Sequence, residues 1–170
     1  TTSRLVKKNA VGDIIRALSF LPEHIRLIIV GDGPEKNSLT NLSKKLSIQS
    51  RVKFMGNIPY DEIPDQLAQA DIFIRPSLSE GLGNSYLEAM AAGIPIIATN
   101  VGGIPDFLTD GETGFFCRVN DPKHIAELVQ MILSDEKTQN IREIIEKAHA
   151  LVSTDYSWDI IANKMGGYFN

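Results

Sequence analysis

Short runs of strand-forming residues alternate with stretches of helical spacing over most of this chain, and few folds accommodate such an order. Strands are predicted at residues 4–6, 26–30, 52–55, 72–75, 94–98 and 114–117. Helices fill the intervals. Ile14, Ile15, Leu18 and Leu21 make one apolar stripe, and Leu39, Leu42 and Leu46 make another at helical spacing. At Asp121-Pro122 a capping side chain precedes the proline favoured in a first turn, and Ile125, Leu128, Val129, Ile132 and Leu133 share one face of the helix that follows. Parallel neighbours in a sheet need a crossover, and a helix is the usual one. The expected fold is therefore α/β, with helices covering a mainly parallel sheet of about six strands. After Ser134 the alternation stops. Two helical segments are predicted there, broken around residues 152–156 and ending with Trp158, Ile161, Met165 and Tyr168, with residues 151–170 as a terminal helical segment packed on the sheet domain or on an absent neighbour.

A length of 170 residues suits one domain with a sizeable core, and 43% hydrophobic with 22% charged residues is ordinary for a soluble globular protein. Seventeen basic against 21 acidic residues give a net charge of -4 with no long basic run, so the footprint of a nucleic-acid binder is missing. The single cysteine, Cys117, excludes an internal disulfide, fits a reducing compartment and reads as a small buried residue. No apolar stretch approaches the roughly 20 residues of a membrane span, and no signal-peptide pattern opens the chain. Thr1-Thr-Ser-Arg-Leu-Val leaves almost nothing ahead of the first predicted strand, so the chain is expected to be a piece of something longer.

One segment concentrates chemistry. Asp71-Ile-Phe-Ile-Arg75 is a strand-like run stopped by Pro76, which cannot donate to a sheet ladder. Gly81 and Gly83 follow, leaving the backbone bare where a ligand could approach it. From Ser85 to Ala92 the residues favour helix, with Gly93 as the stop and Pro95 beyond. A strand, a glycine turn and a helix in that order place free amides and the positive end of a helix dipole at the carboxyl edge of the sheet, where phosphate is favoured. Two carboxylates flank the turn. Ser85-Tyr-Leu-Glu88 fits a capping box, in which the serine caps the helix and the glutamate reaches back to its amide, so Glu88 is a cap, a ligand contact or both. Glu80 has no capping task, and a polar ligand is its better explanation.

Other arrangements carry less. Two carboxylates on one short segment would surround a sugar from one side only, which makes a glycosidase pair a minor alternative. Ile28-Ile-Val-Gly-Asp-Gly-Pro-Glu-Lys36 begins like a dinucleotide-binding turn but places Lys36 where the third glycine belongs. Val101-Gly-Gly-Ile-Pro105 serves equally as a ligand contact or as a turn the fold requires. Arg4, Lys7 and Lys8 cluster after the first predicted strand; alone they read as a solvated surface, and beside the helix start after Gly83 they make a diphosphate cradle. His24, His124 and His149 show no metal-ligand spacing, and neither a nucleophile elbow nor a Walker A sequence is present.

Over about residues 3–134 the chain resembles the C-terminal, donor-binding domain of the group 1 (family 4) retaining glycosyltransferases, GT-B enzymes with two facing Rossmann-like domains. The resemblance is carried by Glu80-Gly-Leu-Gly-Asn-Ser-Tyr-Leu-Glu88-Ala-Met-Ala-Ala-Gly-Ile-Pro, with Ser3-Arg-Leu-Val, Val30-Gly-Asp-Gly-Pro, Ala70-Asp-Ile-Phe-Ile-Arg-Pro-Ser and Gly111-Glu-Thr-Gly-Phe. It implies a Rossmann-like α/β/α domain that binds a UDP-, GDP- or ADP-sugar without a metal or other cofactor. In the full-length protein, which would include an N-terminal acceptor domain, it implies glycosyl transfer with retention to a saccharide, lipid-linked or other acceptor, in polysaccharide, glycolipid or glycoconjugate synthesis. Arg4 matches the diphosphate-binding arginine. The partner lysine of the family falls at Asn9, followed by glycine at Ala10, and Lys8 is the nearest substitute. Glu80 matches the carboxylate facing the donor sugar and Glu88 the one taking ribose hydroxyls. Gly81, Leu82, Gly83, Asn84 and Ser85 match the backbone that approaches phosphates and sugar, and Ile58 the backbone contact beside the nucleobase. The same resemblance implies a cytoplasmic protein, compatible in full-length form with peripheral attachment at the membrane face, and an isolated domain that does not catalyse transfer. A non-catalytic binding module and a nucleotide-sugar epimerase of similar build are the alternatives.

Overall fold

The computed structural model describes residues 1–134 and 139–156. Runs rich in Ile, Val and Phe pair within it as parallel strands. One sheet joins β1 (Leu27–Val30) to β2 (Val52–Gly56); the other contains β3 (Phe73–Arg75), β4 (Ile96–Thr99) and β5 (Phe115–Cys117), with β4 in the centre. Around them lie α1 (Val11–Leu18), α2 (Lys36–Lys45), α3 (Ile63–Leu67), α4 (Asn84–Ala91), α5 (Pro122–Ser134) and α6 (Gln139–Asp155).

Both faces of the second sheet are covered, as its continuous apolar sequence requires. All four residues of β4 are buried, and successive side chains point to opposite faces. Ile97 belongs to a core built with α1, α2 and α5, through Ile14, Ile15, Leu18, Leu39, Ile125 and Val129. Ile96 and Ala98 belong to a second core with Tyr86, Ala89 and Met90 of α4 and Ala148 of α6. The expected Rossmann-like α/β arrangement is thus present, with helices on both sides. Its helix ends follow local rules. Gly93, at φ +71°, closes α4 while its N–H and that of Ile94 donate to the Met90 and Ala89 carbonyls at 3.0 and 3.1 Å. Asp121 accepts the His124 N–H at 3.0 Å, capping α5 as predicted. Cys117 is buried in the first core, which pushes its thiol up to about 12.

Two expectations are corrected. Among the described residues five strands form, in two sheets, rather than about six in one. The predicted first strand, residues 4–6, is an extended lead-in: Thr2 bridges Val30, the Ser3 and Leu5 amides donate to the Val30 and Asp32 carbonyls, and a 3-10 turn (Lys7–Asn9) follows at once. The cause is the Arg4 carbonyl, which accepts from the Val6 N–H at 3.0 Å and the Asn9 side-chain amide at 2.6 Å, curling the chain away from a ladder. α6 ends at Asp155, within the range 152–156 where a break is expected, and Leu151 and Val152 pack on the second core. Tyr156 stacks edge-on against Phe107 with centroids 6.3 Å apart. Trp158, Ile161, Met165 and Tyr168 lie outside the described residues. No helix among the described residues is long and apolar enough to cross a membrane.

Ile97 has no exposed surface and sits at the centre of the middle strand. Ile97→Ala should lower stability by about 2–5 kcal/mol in urea unfolding, and Ile97→Val by about 1 kcal/mol.

Candidate functional site

β3 ends at Arg75, and the chain then crosses the carboxyl edge of the sheet before entering α4. Tyr86, fully buried in the first turn of α4, ties the two ends of this crossing together. Its O–H donates to the Arg75 carbonyl at 2.7 Å and lies 3.3 Å from the Ser77 hydroxyl, and burial pushes its phenol up to about 12. The helix begins at Gly83, whose φ of +70° suits glycine and where a Cβ would stand 2.7 Å from the Tyr86 ring. A second loop braces the crossing from outside. Gly102, at φ +57°, is packed so closely on the Glu80 carbonyl that a side chain has no room, and the Gly103 N–H reaches the Gly81 carbonyl at 3.2 Å. The Val101-Gly-Gly-Ile-Pro105 turn is therefore required by the fold of the site.

At the centre lies Arg75, only 9% exposed. Its Nη2 pairs with Glu80 Oε2 and reaches Asn9 Oδ1 at 3.3 Å, while Nη1 donates to the Ser85 hydroxyl at 2.7 Å. The guanidinium carbon stands 5.4 Å from the Tyr86 ring centroid. Asn9, 2% exposed, spans from Arg75 to the Arg4 carbonyl through its two amide ends. One cation thus links the lead-in segment, the Glu80 loop and the start of α4. The other Glu80 oxygen, Oε1, accepts the Gly81 N–H at 3.1 Å on the open side, and nothing lies within 4 Å of where a Gly81 side chain would be.

The capping box does not form. Gly83 occupies the cap position, Ser85 lies inside the helix with its hydroxyl taken by Arg75, and Glu88 Oε1 accepts the Tyr60 O–H at 3.1 Å instead of a backbone amide. That tyrosine is 76% exposed, and its phenol is shifted upward by the hydrogen bond to Glu88 and the charge behind it. The first amides of α4 are left for another acceptor, as at any helix start.

The remaining predicted residues divide. Arg4 and Ile58 line one cavity of about 400 Å³ together with Gly31, Asp32 and Asn57, so the Val30-Gly-Asp-Gly turn does contribute a wall. Ile63 belongs both to this cavity and to a second of about 270 Å³ that contains Tyr60 and Glu88. Arg4 forms no ion pair among the described residues. Gly81, Leu82 and Asn84 are exposed along the turn, and Gly83 is half-buried. Lys8 is exposed; what it gives the site is its backbone carbonyl, which accepts the Leu78 N–H at 2.7 Å. Arg75, Asn9 and Tyr60 hold site residues without having been singled out for that role. An arginine ending an Ile-Phe-Ile run just before proline was the available signal, since a charge there needs a buried partner.

Glu80 and Arg75 are both nearly enclosed, with side chains 9% and 11% exposed. Glu80→Ala should therefore cost about 3 kcal/mol or more in chemical denaturation, because it strands a buried cation, whereas Glu80→Gln keeps an acceptor and should cost less.

The family described as glycosyl transferases group 1 matches residues 1–151. Among curated relatives, the chain is 34% identical over 164 residues to an N-acetyl-alpha-D-glucosaminyl L-malate synthase of Bacillus anthracis, covering 95% of this chain and 42% of the relative. It is 33% identical over 176 residues to a GDP-mannose-dependent monoacylated alpha-(1-6)-phosphatidylinositol monomannoside mannosyltransferase of Corynebacterium glutamicum, covering 96% and 44%. Among solved structures, Anabaena Alr3699/HepE in complex with UDP-glucose superposes with a TM-score of 0.91 at 26% identity, over 99% of this chain and 47% of that one. The chain spans less than half the length of these relatives.

Proposed function

Because the chain belongs to the group 1 glycosyl transferases, we propose that it is the C-terminal, donor-binding domain of a retaining glycosyltransferase, and that the full-length protein transfers a sugar from a nucleoside diphosphate to an acceptor. The observation that carries this reading is that Arg4 and Ile58 line one cavity and Glu88 an adjoining one that shares Ile63, while the Glu80 turn leads into α4, the helix that carries Glu88. The likeness to a protein that binds UDP-glucose supports the donor class.

In this reading the nucleobase lies against the backbone at Ile58, and Glu88 takes ribose hydroxyls as it accepts the Tyr60 hydroxyl. The diphosphate lies between Arg4, with Lys8 at the margin, and the backbone from Gly81 through Ser85 at the start of α4. Glu80 faces the sugar. As the anomeric bond breaks, negative charge grows on the leaving phosphate oxygen, and a guanidinium with helix-end amides stabilises that charge more than the ground state. These fixed donors do the work that a bound cation does in other transferases. The second wall and the acceptor site belong to the rest of the protein, so the domain alone binds donor without transferring it. A polysaccharide, glycolipid or glycoconjugate precursor is the acceptor class. A lipid-linked acceptor, like the phosphatidylinositol mannoside named for the Corynebacterium relative, would bring a cytoplasmic enzyme to the membrane face.

Assaying the full-length protein with UDP-, GDP- and ADP-sugars tests the reading; transfer with retention is expected. Epimerisation of the donor, or binding without turnover, would replace it by the epimerase or binding-module alternative. Two variants test the assignments. Glu88→Gln should weaken nucleotide diphosphate binding at least about tenfold in calorimetry while the melting temperature stays within a few degrees, because its hydrogen bond is exposed. Arg4→Ala should weaken UDP or GDP about tenfold or more while leaving the matching nucleoside unchanged; equal losses would remove its diphosphate role.

A further inference from the structure

Arg75 has no place in the donor contacts described above, yet it touches more of the site than any of them. It is buried, and its two terminal nitrogens are engaged by Glu80, Asn9 and Ser85. So enclosed a guanidinium offers little surface to a phosphate. Its partners lie on two separate stretches of chain, Asn9 on one and Glu80 with Ser85 on the other, joined at one planar group.

We propose that Arg75 is the positioning residue for the donor sugar, holding Glu80 by its inner oxygen so that the outer oxygen faces the open side at Gly81. The proposal rests on the reading of Glu80 as the sugar-facing carboxylate. Without that pair, Glu80 would keep the bond from Oε1 to its own neighbouring amide and some freedom about its side-chain torsions. The pair with Arg75 Nη2 removes that freedom, and the bonds from the same guanidinium to Asn9 and Ser85 fix the guanidinium in turn. Asn9 suits this task because a neutral amide can accept from Arg75 and donate to the Arg4 carbonyl together. A cation at that position would face Arg75 as a like charge. The planar fork matters as much as the charge, because an ammonium cannot hold three partners in one fixed plane.

The test uses the full-length protein, with UDP, UDP-glucose, GDP, GDP-mannose, ADP and ADP-glucose as calorimetric probes. The quantity read is the ratio of dissociation constants for a nucleotide and its sugar conjugate, measured in the wild type, Arg75→Met and Arg75→Lys, alongside thermal melting. A role in scaffolding alone would change both constants together and leave the ratio as it was. For the pair that the wild type binds, Arg75→Met is expected to shift the ratio at least about tenfold against the sugar conjugate, with the plain nucleotide within about threefold. Arg75→Lys is expected to shift it by a smaller factor, and it carries the test where Arg75→Met shows no cooperative melting. Unchanged ratios in the folded variants, or a parallel loss for nucleotide and conjugate, would overturn the role of Arg75 alone. A wild-type protein that binds none of the six probes would remove the donor-binding reading itself.

Discussion

The ion pair between Arg75 and Glu80 is the contact on which the rest of the site depends. Two nearly enclosed charges at the end of a parallel strand are costly to desolvate, and they are tolerable only because each is held by further polar partners. Asn9 and Ser85 engage the two terminal nitrogens of the guanidinium, whose buried Nε has no partner among the described residues, and the Gly81 amide donates to the carboxylate. The geometry of three chain segments is thereby coupled to one electrostatic arrangement. Disturbing any of them reaches the others.

Close backbone packing reinforces that arrangement. Gly102 lies directly on the Glu80 carbonyl, and Tyr86 anchors the far side through the Arg75 carbonyl. The turn is held from behind while its outer edge, around Gly81 to Asn84, stays open. A rigid support with an unobstructed backbone edge is the geometry that lets fixed amides meet a phosphate without reorganising. Across the adjoining cavities, Tyr60 on Glu88 shows the carboxylate accepting a hydroxyl, the same chemistry a ribose would offer.

Much of this was readable in residue order. The stripe Ile14, Ile15, Leu18 and Leu21 is buried as predicted, β3 stops before Pro76, and Gly93 ends α4 within a residue of the expected place. The failures have particular causes. Residues 4–6 have strand composition, but the side chain of Asn9 captures the Arg4 carbonyl and bends the chain. Ser85 and Glu88 have capping-box spacing, but Arg75 takes the serine and Tyr60 the glutamate, so stronger or better-placed partners win over the local motif.

Residue order was enough for the pieces: an α/β alternation, a strand, glycine turn and helix, and a carboxylate at each end of the turn. Those features depend on neighbours a few positions apart, where proline, glycine and helical periodicity act. The wiring of the pieces came from packing. Asn9 meets Arg75 across 66 positions and Tyr60 meets Glu88 across 28, and no local rule relates residues so far apart. Once the sheet brings those segments to one edge, buried polar groups must satisfy one another, and that requirement selects the partners.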